Sequence, residues 1–150
     1  MAPGPIVLFL STNHAARGIM SEAILRHQTG DYFRIYSAGL EPIPISPLTL
    51  QVLDEAGIDH TGLESRDVRP LLGRLDVRYL ITVSHHAEER APSVFPGALY
   101  YTSWQLDNPE TLGGTEEEKL QRYRALRDQI SEKVSAWAAQ HMPVGSIKTE

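Results

Sequence analysis

The sequence predicts an α/β fold built on a parallel sheet, on three observations. Short apolar, β-prone runs at residues 5–10, 32–36 and 77–83 alternate with stretches of helical periodicity. Gly, Pro and small polar clusters separate them. The first run passes straight into the compact loop Ser11-Thr12-Asn13-His14-Ala15-Ala16-Arg17-Gly18, and a helical pattern follows from Ile19. Strands alternating with helices imply right-handed crossovers. Sheets of that kind bind ligands beyond the carboxyl ends of their strands, which is where this loop falls.

The elements follow in order. Ile6, Val7, Leu8, Phe9 and Leu10 form an unbroken apolar run, suited to a strand over 5–10 covered on both faces. A helix is expected over 18–28, with Ile19, Met20, Ala23, Ile24 and Leu25 on one side and a break at Gly30-Asp31. Residues 32–36 read as the second strand, ended by Ser37-Ala38-Gly39. Pro42, Pro44 and Pro47 punctuate the next loop, where the Ser46 hydroxyl caps a helix that begins with Pro47. That helix carries Leu50, Val52 and Leu53; Gly57 closes it in a left-handed cap, and Ile58 covers the end. A short helix is expected within 68–75, weakened by Pro70 and Gly73. A strong buried strand over 77–83 and a shorter one over 97–101 follow. Thr115 and Glu118 make a capping box for a long helix reaching about residue 140. Leu120, Tyr123, Leu126, Ile130, Val134 and Trp137 share one face of it. Residues 141–150 are expected to fray. With no repeat and no linker, one domain over 1–150 is the economical reading.

Composition sets bounds on function. The 150 residues are 41% hydrophobic and 22% charged, enough for one sizeable core. A net charge of -5 argues against nonspecific nucleic-acid or membrane binding, while leaving room for a local positive pocket. No stretch is long enough to span a bilayer, and the first apolar run is too short and lacks the basic lead-in of a signal peptide. The expected location is cytoplasmic. The count of cysteines is zero, which rules out disulfides, thiolate metal sites and thiol relays within this chain.

The loop carries the chemistry. A strand, a tight loop and an arginine at the start of a helix together hold an oxyanion: backbone N–H groups and the helix dipole point at it, and the Arg17 fork matches it in bidentate fashion. The thiolate that would do covalent work in such a loop is missing.

On these residues the chain resembles the low-molecular-weight protein tyrosine phosphatases, and especially their thioredoxin-coupled arsenate reductase branch. That family opens with a strand, Cys-x5-Arg-Ser/Thr and a helix; the same frame here reads VLFL-STNHAARG-IMSEAILR. The likeness continues through Ser37-Ala38-Gly39-Leu40-Glu41-Pro42, Glu55-Ala56-Gly57-Ile58-Asp59, the strand at 79–83, Trp104-Gln105-Leu106-Asp107-Asn108-Pro109 and the helix opening at Gly114-Thr115. The resemblance implies a three-layer sandwich around a four-stranded parallel sheet in the order 2-1-3-4. It implies oxyanion binding by Ser11, Thr12, Asn13, His14, Ala15, Ala16 and Arg17.

The departures fall on the chemistry. Ser11 stands at the family's nucleophile position. Gly18 stands where a hydroxyl-bearing residue follows the arginine, and His14 and Ala15 stand where Asn and Ser are usual. Asn108, with Asp107 before it, stands at the general-acid position. Ser84 and Ala91 stand at the two relay cysteines. A serine hydroxyl needs an adjacent base to attack, and an amide cannot donate a proton to a leaving group. The expectation is therefore a phosphatase-like protein, without catalysis, that binds phosphate, arsenate, sulfate or a phosphorylated group, with no cofactor and no resident metal. The alternative is a divergent phosphatase or arsenate reductase acting through Ser11, water or a metal. Cysteine removal in the laboratory would account for Ser11, Ser84 and Ala91, but not for His14, Ala15, Gly18 or Asn108.

Several residues have more than one reading at this stage. Ser11 is an inert filler, a ligand contact or a nucleophile. Arg17 binds the anion or ties the loop to a carboxylate. His14 faces solvent, joins the anion when protonated, or acts as a base for Ser11 with Asp107 orienting it. His85 and His86 are exposed polar residues or, with His14, a metal site. Trp104 and Tyr101 line an aromatic wall, or Trp104 belongs to the core. A protein partner is conceivable, its identity not given by the sequence.

Overall fold

The structure, a computed structural model, describes residues 4–84, 97–110 and 113–142. The elements run β1 (Ile6–Ser11), α1 (Arg17–Thr29), β2 (Arg34–Gly39), α2 (Pro47–Glu55), β3 (Val77–Thr82), β4 (Tyr100–Ser103) and α3 (Glu116–His141). The four strands are parallel in the order β2-β1-β3-β4, the α/β topology expected.

Strand alternation splits the core into two faces. Val7 and Phe9 point into the larger cluster, with Ile81 and Val83, beneath α1, α2 and α3. Ile6, Leu8 and Leu10 point the other way and meet Val68, Leu80 and Ala98. Val7 through Leu10 are wholly buried, as a central parallel strand requires. The register pairs Ser11 with Gly39 and Leu10 with Thr82, and Thr82 with Ser103, so the strands end together at one edge. The Val83 N–H still donates to the Leu10 carbonyl at 2.9 Å, which holds Ser84 alongside the loop that leaves β1.

The helix signals act where the sequence puts them. Ser46 Oγ accepts from the Leu48 N–H at 3.3 Å, with Pro47 in the first turn. Gly57, at φ 71°, and Ile58 close α2 through Gly57 N–H to Asp54 O and Ile58 N–H to Leu53 O, both 3.0 Å. Thr115 and Glu118 make the capping box reciprocally, at 3.1 and 2.9 Å. α3 buries Tyr123, Leu126, Ile130, Val134 and Trp137 on the face expected.

Four local expectations are corrected. Ser37, Ala38 and Gly39 do not end β2 but belong to it, because they pair with β1. α1 has no one-sided apolar stripe: its residues from Arg17 through Leu25 are all buried, Ser21 and Glu22 included, since the helix is wedged between sheet and α3. Its buried polar atoms find local acceptors, Ser21 Oγ donating to Arg17 O at 2.8 Å. The segment 68–75 yields a single 3-10 turn at Arg69–Leu71. The fourth strand lies two to three residues later than expected. At the C-terminus, His141 completes α3 and Met142 is buried; the remainder of the expected frayed tail lies outside the described residues.

Candidate functional site

The loop between β1 and α1 is held from three sides. From β2, the Leu40 and Glu41 N–H groups donate to Ser11 O (3.0 Å) and Thr12 O (2.8 Å). From α2, Thr49 Oγ1 and the Ser46 N–H donate to Ala15 O, at 2.9 and 3.2 Å. From the end of β3, Ser84 Oγ accepts the Thr12 N–H at 3.2 Å and shares a hydrogen bond with Thr12 Oγ1 at 3.0 Å. Ser84 thus clamps the loop through a hydroxyl pair.

Ser11 is wholly buried, and its hydroxyl donates to Asn13 O at 3.2 Å. The same carbonyl accepts the Ala15 N–H at 2.9 Å. Two donors of the loop are therefore spent on the loop's own Asn13 carbonyl.

His14 is not on the surface. It is wholly buried, and both ring nitrogens are committed. Nδ1 accepts the Arg66 backbone N–H at 2.8 Å, which places the proton of the neutral ring on Nε2. Nε2 then donates to Ser37 Oγ at 2.6 Å, and Ser37 donates to Glu22 Oε1 at 2.5 Å. Arg26 completes the chain on Glu22 Oε2 at 2.7 Å. Burial first, and the nearby Arg66 charge second, lower the His14 pKa from 6.5 to about 3. These contacts correct all three of its readings. His14 neither faces solvent nor carries a charge at neutral pH for an anion, and it has no free nitrogen to act as a base for Ser11. Asp107 is not its orienter; that carboxylate lies near Arg17.

Two glycines make room for this arrangement. A Cβ on Gly18 would stand 3.3 Å from both His14 Cδ2 and Ser11 Oγ. A Cβ on Gly39 would stand 2.8 Å from His14 Cβ and 3.0 Å from its backbone nitrogen. Gly18 is thus the steric counterpart of His14: a side chain at 18 presses on the imidazole, which must give by a few tenths of an ångström.

Arg17 opens α1 and is 8% exposed. Its Nη1 donates to Leu106 O at 3.1 Å; the other guanidinium N–H groups meet no acceptor among the described residues. Burial lowers its pKa, and the Asp107 carboxylate opposes that shift, so it stays a cation. α1 has no side-chain cap and no acid in its first turn, Ala16 occupying the N-cap. The N–H groups of Ala16, Arg17 and Gly18 accordingly have no protein acceptor among the described residues.

Arg17, Asn13, Ala15 and Ala16 line a cavity of about 360 Å³. Its other walls are Ile43, Pro44 and Ser46, then Asn108, Glu110 and Tyr123. Asn108 Oδ1 accepts the Glu110 N–H at 3.0 Å, an Asx turn that uses the amide structurally. Trp104 is not an aromatic wall: it is buried in the core, tilted on Phe9 at 5.7 Å between ring centroids. Tyr101 is exposed on β4. His85, His86 and Ala91 lie outside the described residues. Among the described residues no cluster of His, Asp and Glu is arranged to hold a metal ion.

The sequence reading passed over Ser37, Glu22, Arg66 and Thr49, which fix the loop. One signal was present: Glu22 and Arg26 at the i,i+4 spacing of a helical ion pair. Nothing local shows that Glu22 turns inward to Ser37.

Comparison with known proteins places this geometry. The family model for low molecular weight phosphotyrosine protein phosphatase matches residues 6–143. The arsenate reductase of Bacillus licheniformis is 32% identical over 133 residues, covering 88% of this chain and 94% of that protein. An arsenate reductase structure in the phosphate binding state superposes with a TM-score of 0.75 at 21% identity, over 92% of this chain and 99% of that one. The YwlE arginine phosphatase, in a cysteine-to-serine variant whose active-site serine is phosphorylated, superposes with a TM-score of 0.71 at 19% identity, over 90% of this chain and 94% of that one.

Proposed function

The chain belongs to the low molecular weight phosphotyrosine protein phosphatase family, and from that premise we propose that it binds a tetrahedral oxyanion or a phosphorylated group in the loop 11–17 without turning it over. The observation that carries this reading is Arg17: a buried guanidinium with donors to spare, beside the uncapped start of α1 and open to a cavity. The cavity gives an anion access to those remaining donors, and a guanidinium fork matches a tetrahedral oxyanion in bidentate fashion. The phosphate held by a structurally similar arsenate reductase supports the same class of ligand.

Turnover lacks its parts. The Ser11 hydroxyl is far less acidic than a thiol, and its hydrogen goes to a carbonyl, not to a base. His14 has no nitrogen available to it, and Asn108 has no acid proton to give. Arsenate reduction consumes thiols, and this chain has none. An incoming anion also displaces the Asn13 carbonyl, which engages the Ser11 and Ala15 donors in the unliganded loop.

The phosphorylated serine of the YwlE variant favours one further reading, in which Ser11 accepts a phosphoryl group. Intact mass measured after incubation with phenyl phosphate separates the two, since a phosphoryl adduct lost in Ser11→Ala supports the enzyme reading. Calorimetry with phosphate, arsenate, sulfate and phosphotyrosine tests the binding reading. Heat is expected with at least one and is expected to vanish in Arg17→Ala; no heat with any of them, for folded protein, overturns it.

A further inference from the structure

We propose that the ligand carries a positive charge beside its phosphoryl group, and that Glu110 receives that charge; this rests on the oxyanion reading above. The class is an aminoalkyl phosphate or phosphonate, with an ammonium a few bonds from phosphorus.

The cavity is polarised. Arg17 stands in one wall and Glu110 in another, with the apolar Ile43 and Pro44 also lining it. A simple phosphate ester gains from Arg17 but is repelled by Glu110. A ligand with its own cation converts that repulsion into attraction, and a short methylene link suits Ile43 and Pro44.

Glu110 is also aimed. Tyr123 is wholly buried, and its hydroxyl donates to Glu110 Oε2 at 2.5 Å. The Glu110 N–H is pinned to Asn108 Oδ1. With one oxygen held by Tyr123, the other, Oε1, meets among the described residues only Lys119 Nζ at 3.5 Å, a loose pair on a side chain 44% exposed. A ligand ammonium competes with Lys119 for that oxygen. A flat aromatic substituent has no comparable support, since Trp104 is packed on Phe9 and the Tyr123 hydroxyl is committed to Glu110.

Equilibrium binding of four probes at neutral pH tests the proposal: inorganic phosphate, ethyl phosphate, O-phosphoethanolamine and phenyl phosphate. O-phosphoethanolamine is expected to bind roughly threefold to tenfold more tightly than ethyl phosphate, its uncharged analogue, with the preference shrinking as salt is raised. Glu110→Gln is expected to erase that preference while leaving ethyl phosphate bound at least as tightly. Should Glu110→Gln fail to fold, Tyr123→Phe keeps the carboxylate but frees it, and is expected to reduce the preference. Ethyl phosphate binding with no gain from the amine overturns this inference alone. So does a preference that survives Glu110→Gln, or phenyl phosphate binding best. Failure of all four probes to bind overturns the oxyanion reading with it.

Discussion

Acidification should unfold this protein through His14. The ring is wholly buried and neutral, its pKa lowered from 6.5 to about 3. The unfolded chain therefore binds a proton that the folded chain refuses, over the window between those two values. Above pH 6.5 both states are neutral at this residue and it adds no pH dependence. As the pH falls from 6.5 toward 3, stability declines by about 1.4 kcal/mol per pH unit, reaching a loss of about 5 kcal/mol. That is comparable with the whole stability of a small domain, about 5–15 kcal/mol. The assay is urea unfolding at a series of pH values from neutral downward, run on the parent and on His14→Asn. Asparagine keeps an acceptor and a donor but cannot take up the proton. At neutral pH the variant should be less stable by about 1–3 kcal/mol, because the Arg66 and Ser37 partners are met less well. Below pH 6.5 its curve should be flatter by one proton, so that the difference between the two proteins narrows. Carboxylates common to both proteins and remote from residue 14 cancel in that difference. Parallel curves would refute the reasoning, as would a His14 ring resonance titrating near 6.5 in the folded state.

Other outcomes follow from the same geometry. Gly18→Ser should destabilise the protein by about 1–2 kcal/mol, because its Cβ meets a ring locked at both nitrogens, and His14→Asn in the same chain should recover most of that; a double-mutant cycle with no coupling would contradict it. Gly39→Ala should cost about 2 kcal/mol or more and weaken phosphate binding, measured by denaturation and calorimetry, since its Cβ would overlap His14 from the other side. Ser11→Cys, Asn108→Asp and Gly18→Ser together should yield p-nitrophenyl phosphate turnover from a silent parent, and more of it when His14→Asn is added, because the serine at 18 otherwise presses on the imidazole. Thr115→Ala should lower the urea midpoint by an amount equivalent to about 1 kcal/mol, through loss of the α3 cap.

Much of the fold was legible because its signals are local. The apolar run of β1, the Ser46-Pro47 start, the Gly57 end and the Thr115–Glu118 box each act within a turn or two of where they are written. α1 was misread for the opposite reason: Ser21 and Glu22 look like a solvated face until tertiary neighbours cover them. The loop was located correctly by the strand–loop–arginine–helix order, but the conformation of its residues was not legible. His14 is decided by Arg66, Ser37 and Glu22, which lie between eight and fifty-two positions away in the chain. Trp104 likewise reads as a ligand wall or a core residue in sequence, and Phe9 decides for the core in space.

The hydroxyl clamp between Thr12 and Ser84 has a consequence for where this protein can operate. Thiols at such positions would couple or be capped as oxidants rise. Oxygen atoms in their place leave this loop indifferent to peroxide and to the thiol poise of its surroundings. Its conformation should be identical in a reducing and an oxidising medium, which circular dichroism with and without peroxide checks.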